Sequence, residues 1–217
     1  MNSAATYSSR FFRAESRPKF SLPGFQAYHT EFEGQVLVQD IFIPPGGSLT
    51  VDVSRYPHHL IIPVAGGIVL SRRGNPVQEL IAGDICYLPG NEEALLSHPF
   101  KEPVNFLHIA LASFDAAPAG VSCTQLDILE KNCLLRGNSW SDNIYLGVYD
   151  SRSTQEWRLT QPNGSLFTFV LNGSFDFEGR LMEYRDGLFQ WDVSEIEFEA
   201  LSDAAIILMI ECSPIKL

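Results

Sequence analysis

Apolar residues in this chain occur in short runs, several of which alternate with polar residues, and residues that favour turns separate the runs. Examples are QVLVQDIFI (35–43), HHLIIPV (58–64), FTFVL (167–171) and SFDFEG (174–179), with turn signals PPGG (44–47) and QPNG (161–164). Runs rich in β-branched and aromatic residues predict strands. Many short strands predict an all-β sandwich or barrel. The only helical pattern covers 122–132, where Leu126 and Leu129 lie three residues apart.

The second half of the chain repeats the pattern of the first half. A shift of 106 residues, without a gap, places Val38 on Ile144, Val51 on Trp157 and Leu60 on Leu166. Both copies then end on an apolar strand, at 104–111 and at 204–211. We therefore expect two similar domains, 1–118 with an N-terminal arm and 119–217, divided near FDAAPAG (114–120).

Charge and composition narrow the classes of function. A formal net charge of −11 and few basic residues argue against nucleic acid and anionic membranes as partners. The longest apolar run, 204–210, is much shorter than the roughly 20 residues that span a bilayer. The N-terminal residues lack the apolar core of a signal peptide. The four widely spaced cysteines are expected to be buried free thiols, which predicts a cytoplasmic protein.

Three segments carry a resemblance to a known family: RAESRPKF (13–20), EPVNFLHIAL (102–111) and GSFDFEGRLMEYRDGLFQWD (173–192). With IIPVAGGIVL (61–70) and AGDICYLPG (82–90), they resemble the pirin and quercetinase-like bicupins of the cupin superfamily. The resemblance implies two tandem cupin barrels, also called double-stranded β-helices, with very little helix. It also implies a metal ion in the first barrel only, held by a His-x-His pair, a further His and a Glu.

The expected metal ligands are missing from the positions that the resemblance implies. Counting from Gly67, the His-x-His pair would occupy positions 53 and 55, which are Val53 and Arg55. In the alternative register the pair would occupy positions 54 and 56, which are Ser54 and Tyr56. The next His would occupy Ala94 or Leu96, and the Glu position holds His98. The second half contains no histidine. We therefore expect no metal and a degenerate site.

The remaining histidines leave alternatives open. Adjacent side chains on a strand point to opposite faces, so only one of His58 and His59 can enter the barrel. With His59 inward, it could approach His98 and form a relocated site for one divalent transition metal such as Fe, Mn, Ni or Zn. The other possibilities are a metal-free polar pocket or histidines that are simply hydrogen-bonded within the fold. His108, in an apolar strand, is expected to be a hydrogen-bonded core histidine. The ligand-pocket candidates are Arg55, Tyr56, His59 and His98, and no catalytic residue is assigned.

Three functions follow from these observations. The first is a metal-free, pirin-type protein that binds a small molecule or regulates a partner, without oxygenase activity. The second is an enzyme, either a quercetinase-like dioxygenase with a relocated histidine site or a metal-independent isomerase. The third is a protein-interaction module. Two barrels within one chain make a monomer plausible, and exposed strand edges would also allow a homodimer.

Overall fold

The structure is a computed structural model that describes residues 8–72, 77–91, 93–114, 117–136 and 143–212. The described residues form strands joined by turns, with a single 3₁₀ turn at Ala14–Ser16 and no α-helix. None of the described helical segments has the length and apolar character that a membrane span requires. The predicted all-β fold is confirmed.

The chain divides into two compact units. The unit Arg17–Leu126, here called the N-terminal barrel, contains two sheets. Its larger sheet has the order β12-β9-β6-β11-β4-β3-β2 and its smaller sheet the order β5-β10-β7-β8. The strands are β2 (Lys19–Leu22), β3 (Phe25–Phe32), β4 (Val36–Ile43), β5 (Ser48–Val51), β6 (His58–Ala65), β7 (Gly67–Arg72), β8 (Gln78–Ile81), β9 (Asp84–Pro89), β10 (Ala94–Ser97), β11 (Val104–Leu111) and β12 (Ser122–Gln125).

The second unit, here called the C-terminal barrel, comprises Met1–Ser16 and Asp127–Leu217. Its sheets have the orders β1-β19-β16-β21-β14-β13 and β15-β20-β17-β18. The strands are β1 (Ser8–Phe12), β13 (Leu134–Arg136), β14 (Ile144–Tyr149), β15 (Thr154–Arg158), β16 (Gly164–Asn172), β17 (Phe175–Phe177), β18 (Arg180–Met182), β19 (Gly187–Val193), β20 (Glu195–Ala200) and β21 (Ala205–Cys212).

The units differ at two places from the domains 1–118 and 119–217 that the sequence predicts. Strand β1 belongs to the C-terminal barrel, because it pairs antiparallel with β19 from Ser8 opposite Trp191 to Phe12 opposite Gly187. Strand β12 belongs to the N-terminal barrel, because it pairs with β9. The N-terminal arm is therefore an edge strand of the C-terminal barrel, and the N-terminal unit extends to Leu126.

The segment 122–132 is not a helix, so that prediction was wrong. Its first part is strand β12, and the turn that follows leaves the side chain of Leu129 86% exposed. The backbone bonds to β9 instead, and the amide of Leu126 donates to the carbonyl of Gly83 at 2.9 Å.

Two of the cysteines are not free thiols, contrary to the expectation. Cys86 and Cys123 lie directly opposite each other on β9 and β12, with Cα atoms 4.0 Å apart, and form a disulfide. Neither Cys133 nor Cys212 forms a disulfide with another described cysteine. The pairing depends on the register of two strands that are distant in sequence, which the spacing of the cysteines does not reveal.

Each barrel has its own apolar core, and the cores reveal an error in the gapless alignment of the two halves. Val51 and Trp157 both contact their cores, as the shift of 106 residues predicts. On the next strand, however, Ile61 and Leu166 face the cores, so Leu60 points to the opposite face from its supposed equivalent. The shift of 106 residues therefore aligns β5 with β15 correctly but is wrong by one residue where β6 is aligned with β16.

The pairing of β1 with β19 leads to a testable prediction. Deleting residues 1–12 would leave the outer edge of β19 without its partner strand. We expect faster amide hydrogen exchange at 187–191 and unchanged exchange in β4, measured by mass spectrometry. Unchanged protection of 187–191 in the truncated protein would show that β1 does not stabilise this edge.

Candidate functional site

One end of the N-terminal barrel interior carries polar side chains. His59 on β6 lies opposite Leu88 of β9 and Ala110 of β11. Because directly paired residues share a face and Leu88 is part of the apolar core, His59 points into the barrel. His58 points to the opposite face, where its Nδ1 lies 2.9 Å from the hydroxyl of Tyr87.

His59 is part of a continuous row of hydrogen bonds, here called the histidine chain, which runs through Gln39, His108, His59 and the carbonyl of Tyr56. The Nε2 of His59 donates to the Tyr56 carbonyl at 2.8 Å, and its Nδ1 lies 2.9 Å from Nε2 of His108. The Nδ1 of His108 lies 2.8 Å from the side-chain oxygen of Gln39. His108 is thus a hydrogen-bonded core histidine, as predicted.

Burial keeps both rings of the histidine chain neutral. His59 and His108 are 1% and 3% exposed. Burial, followed by the neighbouring His59, lowers the pKa of His108 to about 3. Burial likewise lowers the pKa of His59, against the raising effect of its bond to the Tyr56 carbonyl. Neither ring carries a charge at neutral pH.

The neutral state fixes the direction of every bond in the chain. A carbonyl only accepts, so His59 carries its proton on Nε2 and accepts at Nδ1 from His108 Nε2. The Nδ1 of His108 must then accept in turn. We therefore assign the Gln39 amide in the orientation that places its nitrogen at this contact, because the two amide atoms exchange by a simple flip. In this arrangement neither histidine has a nitrogen left to act as a base.

A second polar group, here called the rim, consists of His29, Glu31, Arg55 and Tyr56. The guanidinium of Arg55 donates to both oxygens of Glu31, one of them at 2.9 Å, and the hydroxyl of Tyr56 donates to Glu31 at 3.2 Å. His29 lies 3.5 Å from the same carboxylate. Arg55, one of the ligand-pocket candidates, therefore already holds a carboxylate of the chain itself through its planar fork.

Neighbouring groups lower the pKa of the rim carboxylate. Burial alone would raise the pKa of Glu31, but the hydrogen bonds from Arg55 and Tyr56 outweigh it, and the net shift is downward. Burial and the Glu31 carboxylate raise the pKa of Tyr56 to about 12. At neutral pH the rim is an ion pair with a neutral phenol beneath it.

Beside the rim lies a depression of about 510 Å³, lined by residues 53–57 and 89–91. Gly90 is essential to its shape. Its amide donates to the Pro57 carbonyl at 2.8 Å, and an added Cβ would lie 2.3 Å from the Tyr56 oxygen. That oxygen is the one that accepts from His59, so the depression and the histidine chain share the Tyr56 peptide.

His98 does not join the other predicted site residues. Its amide and carbonyl bond to Gly47 and Gly46, just beyond the end of β4 at Ile43, whereas the histidine chain contacts β4 at Gln39. The contacts of the described residues include none between His59 and His98. The structure thus brings together Arg55, Tyr56 and His59 and places His98 at the far end of the strand. His98 is buried, and neither ring nitrogen has a partner among the described residues.

The described residues do not fit the metal that the resemblance implies. The positions of the His-x-His pair hold Val53 and Arg55, or Ser54 and Tyr56 in the alternative register. The position of the next His holds Ala94 or Leu96, both part of the apolar core, and only the Glu position holds a possible ligand, His98. Across the described ranges, no three His, Cys, Asp or Glu side chains come close enough to hold an ion. Two histidine nitrogens alone are fewer ligands than transition-metal sites in proteins use.

The sequence did not reveal two residues of the site, Gln39 and Glu31. Glu31 lies on β3 and Gln39 on β4, outside the motifs of the resemblance. Strand pairing brings both residues to the site. Period-two alternation could have flagged Gln39, since it shares a face with Ile41 and Ile43 of the core.

The depressed pKa values predict the response of the protein to acid. The unfolded chain takes up protons near the ordinary histidine pKa of 6.5, while folded His108 does so only near 3. The free energy of unfolding should therefore be fully retained above pH 6.5. It should fall below that pH, by up to about 1.4 kcal/mol per pH unit for each such histidine. Urea unfolding from pH 7.5 to 4.5 measures this slope. His108→Gln should make it shallower, and an identical slope in the variant would refute the assignment.

The tight packing of Gly90 gives a second prediction with a matched control. Gly90→Ala should lower the free energy of unfolding by about 1–3 kcal/mol, because its Cβ displaces the Tyr56 peptide. Gly120→Ala, where an added Cβ meets nothing within 4 Å, should be neutral or slightly stabilising. Equal effects of the two substitutions in chemical denaturation would show that the contact at Gly90 relaxes freely.

Comparison with known proteins finds one family that matches part of the chain and several solved structures with a similar fold. Residues 141–211 match the family described as the quercetinase C-terminal cupin domain. No curated protein matches the sequence.

Solved structures cover nearly the whole chain. YhhW from Escherichia coli aligns with a TM-score of 0.78 at 13% identity, over 97% of this chain and 100% of that chain. A bacterial pirin YhhW from the same organism in complex with nickel(II) aligns with a TM-score of 0.74 at 14% identity, over 96% and 100%. A point mutant of the Bacillus subtilis oxalate decarboxylase OxdC aligns with a TM-score of 0.71 at 11% identity, over 95% and 78%. The chain therefore has the two-barrel cupin fold of these solved structures, and residues 141–211 are similar to the quercetinase C-terminal cupin domain.

Proposed function

We propose that the N-terminal barrel binds a small molecule without a metal ion, in the depression beside the rim. One observation carries the proposal: Val53 and Arg55, at the positions of the missing His-x-His pair, line this depression. The depression measures about 510 Å³ and is open to solvent. Its walls combine the apolar Val53, Pro57 and Pro89 with the polar ends of Arg55 and Asn91.

The chemistry of the site favours binding over catalysis. Both nitrogens of His59 are already bonded, so proton abstraction would require breaking the histidine chain. Arg55 is paired with Glu31, so a ligand anion would have to compete with an ion pair that is already made. A mainly apolar molecule with one hydrogen-bonding group suits the depression better than an anion does.

The competing function is a metal-dependent dioxygenase. It is favoured by the nickel(II) in the bacterial pirin and by the 2.9 Å separation of two histidine nitrogens in the histidine chain. A relocated site shared by His59 and His98 receives no support, since the contacts of the described residues include none between the two side chains.

The first arm of the test measures metal. Protein expressed in medium supplemented with Fe, Mn, Ni, Cu and Zn should contain far less than one ion per chain by elemental analysis, and should consume no oxygen with quercetin. A near-stoichiometric metal content that is lost in the His59→Gln, His108→Gln double variant, together with quercetin-dependent oxygen uptake, would establish the dioxygenase instead.

The second arm measures binding, with quercetin and a panel of small aromatic amides and acids followed by ligand-observed NMR. Val53→Trp fills the depression and should weaken any saturable binding by about tenfold or more, a loss near 1.4 kcal/mol. Leu181→Trp, at an exposed position of the C-terminal barrel, should leave binding unchanged. Binding that both substitutions leave intact would place the ligand elsewhere.

A further inference from the structure

The interior of the C-terminal barrel, which the resemblance leaves without any site, holds an unusual number of buried polar groups. Tyr145, Thr168 and Gln190 are fully buried, and Glu211 is 4% exposed. Among the described residues, the Thr168 hydroxyl and both amide atoms of Gln190 have no hydrogen-bond partner. Native proteins leave few such groups unsatisfied, and each one costs about 1–3 kcal/mol.

Strand register places these four side chains together. One row across the sheet runs Tyr145, Met209, Thr168 and Leu188, on β14, β21, β16 and β19. The next row runs Glu211, Leu166 and Gln190.

Both rows face the barrel interior, because their apolar members, Leu166, Leu188 and Met209, are part of the core. At about 4.8 Å per strand, the backbones of Glu211 and Gln190 lie ~10 Å apart on either side of β16. Thr168 is a diagonal neighbour of both. The polar side chains thus alternate with apolar ones around a common point.

Glu211 is already oriented at one side of this group. It accepts hydrogen bonds from Nε1 of Trp157 at 3.2 Å and from the backbone amide of Thr160 at 2.9 Å, and also from the Thr160 hydroxyl. These donors hold the carboxylate in place, and its remaining lone pairs can still accept. Burial raises the pKa of Tyr145 most, and the charge of the Glu211 carboxylate and a hydrogen bond between Tyr145 and Glu211 raise it further.

The site lies close to solvent. Trp157 is half-buried and packs edge-on against Tyr145, with ring centroids 4.6 Å apart, and Thr160 is exposed. Arg136, which is exposed, is paired with Tyr145 in the strand register.

We propose that the C-terminal barrel contains a buried site for a small hydroxyl-bearing ligand, held by Glu211, Gln190, Thr168 and Tyr145. A hydroxyl both donates and accepts, so it can donate to Glu211 or the Gln190 oxygen while accepting from Thr168, Tyr145 or the Gln190 nitrogen. The ligand is either tightly held water or a small polyol, which share this chemistry. The site is independent of the function proposed for the N-terminal barrel.

The test uses shape-matched apolar substitutions in the full chain. If a ligand satisfies these groups, Gln190→Met and Thr168→Val remove its partners and should each lower the melting temperature by about 3–6 °C. If the groups are unpaired in a dry interior, the same substitutions relieve a cost and should raise the melting temperature, which would overturn the proposal. Leu166→Met, between Glu211 and Gln190, controls for packing. Thr168→Val covers the case in which Gln190→Met fails to fold.

A second measurement distinguishes the two sources of the hydroxyl. Wild-type protein is unfolded in urea and refolded in buffer without polyols. Water is identified as the ligand if two results hold. The refolded wild type recovers its full melting temperature, and ¹⁷O magnetic relaxation dispersion counts at least one more long-lived internal water in the wild type than in Gln190→Met. A lower melting temperature that added glycerol restores in the wild type and not in Gln190→Met identifies a polyol. Full recovery with equal water counts in the two proteins would show that no ligand is held there.

Discussion

A side chain that points into a closed barrel loses its contact with water, so every inward polar group must find its partner inside. This constraint governs both halves of the chain. In the N-terminal barrel it is met within the protein, because Gln39, His108 and His59 bond in a row that ends on the Tyr56 carbonyl. The cost of burying two imidazoles is then reduced by keeping both uncharged, as their depressed pKa values indicate.

The same row links the core to the surface. Tyr56 gives its carbonyl to the histidine chain and its hydroxyl to Glu31, which in turn binds Arg55 at the edge of the depression. Gly90 contacts the same peptide from the other side, where only a residue without a side chain fits. The shape of the depression therefore depends on interior hydrogen bonds. A substitution deep in the barrel should therefore change the geometry of the rim. The rim ion pair itself contributes little to the free energy of unfolding, because Arg55 is largely exposed.

The sequence predicted the all-β fold and the two barrels, because apolar periodicity and turn residues are local signals. It failed where the outcome depends on strand pairing. The attachment of β1 to β19, the disulfide of Cys86 with Cys123 and the separation of His59 from His98 all follow from registers between distant segments. The one-residue offset between the copies at β6 and β16 has the same origin. Because alternation has a period of two, that offset exchanges the inward and outward faces of a whole strand.

Corrected for the offset, the two barrels place polar side chains on the same two interior rows. In the N-terminal barrel, Gln39 pairs with His108 and His59 pairs with Ala110; the corresponding pairs in the C-terminal barrel are Tyr145 with Met209 and Leu166 with Glu211. At three of these four strand positions, a polar residue in one barrel corresponds to an apolar residue in the other. Both barrels carry a polar residue only at the position shared by Gln39 and Tyr145. One barrel satisfies its polar row internally, whereas the other leaves Gln190 and Thr168 without partners among the described residues. Since a duplicated framework imposes the same rows on both copies, the difference between these rows lies in their side chains alone, and the row with unpartnered polar groups is the one for which we propose a ligand.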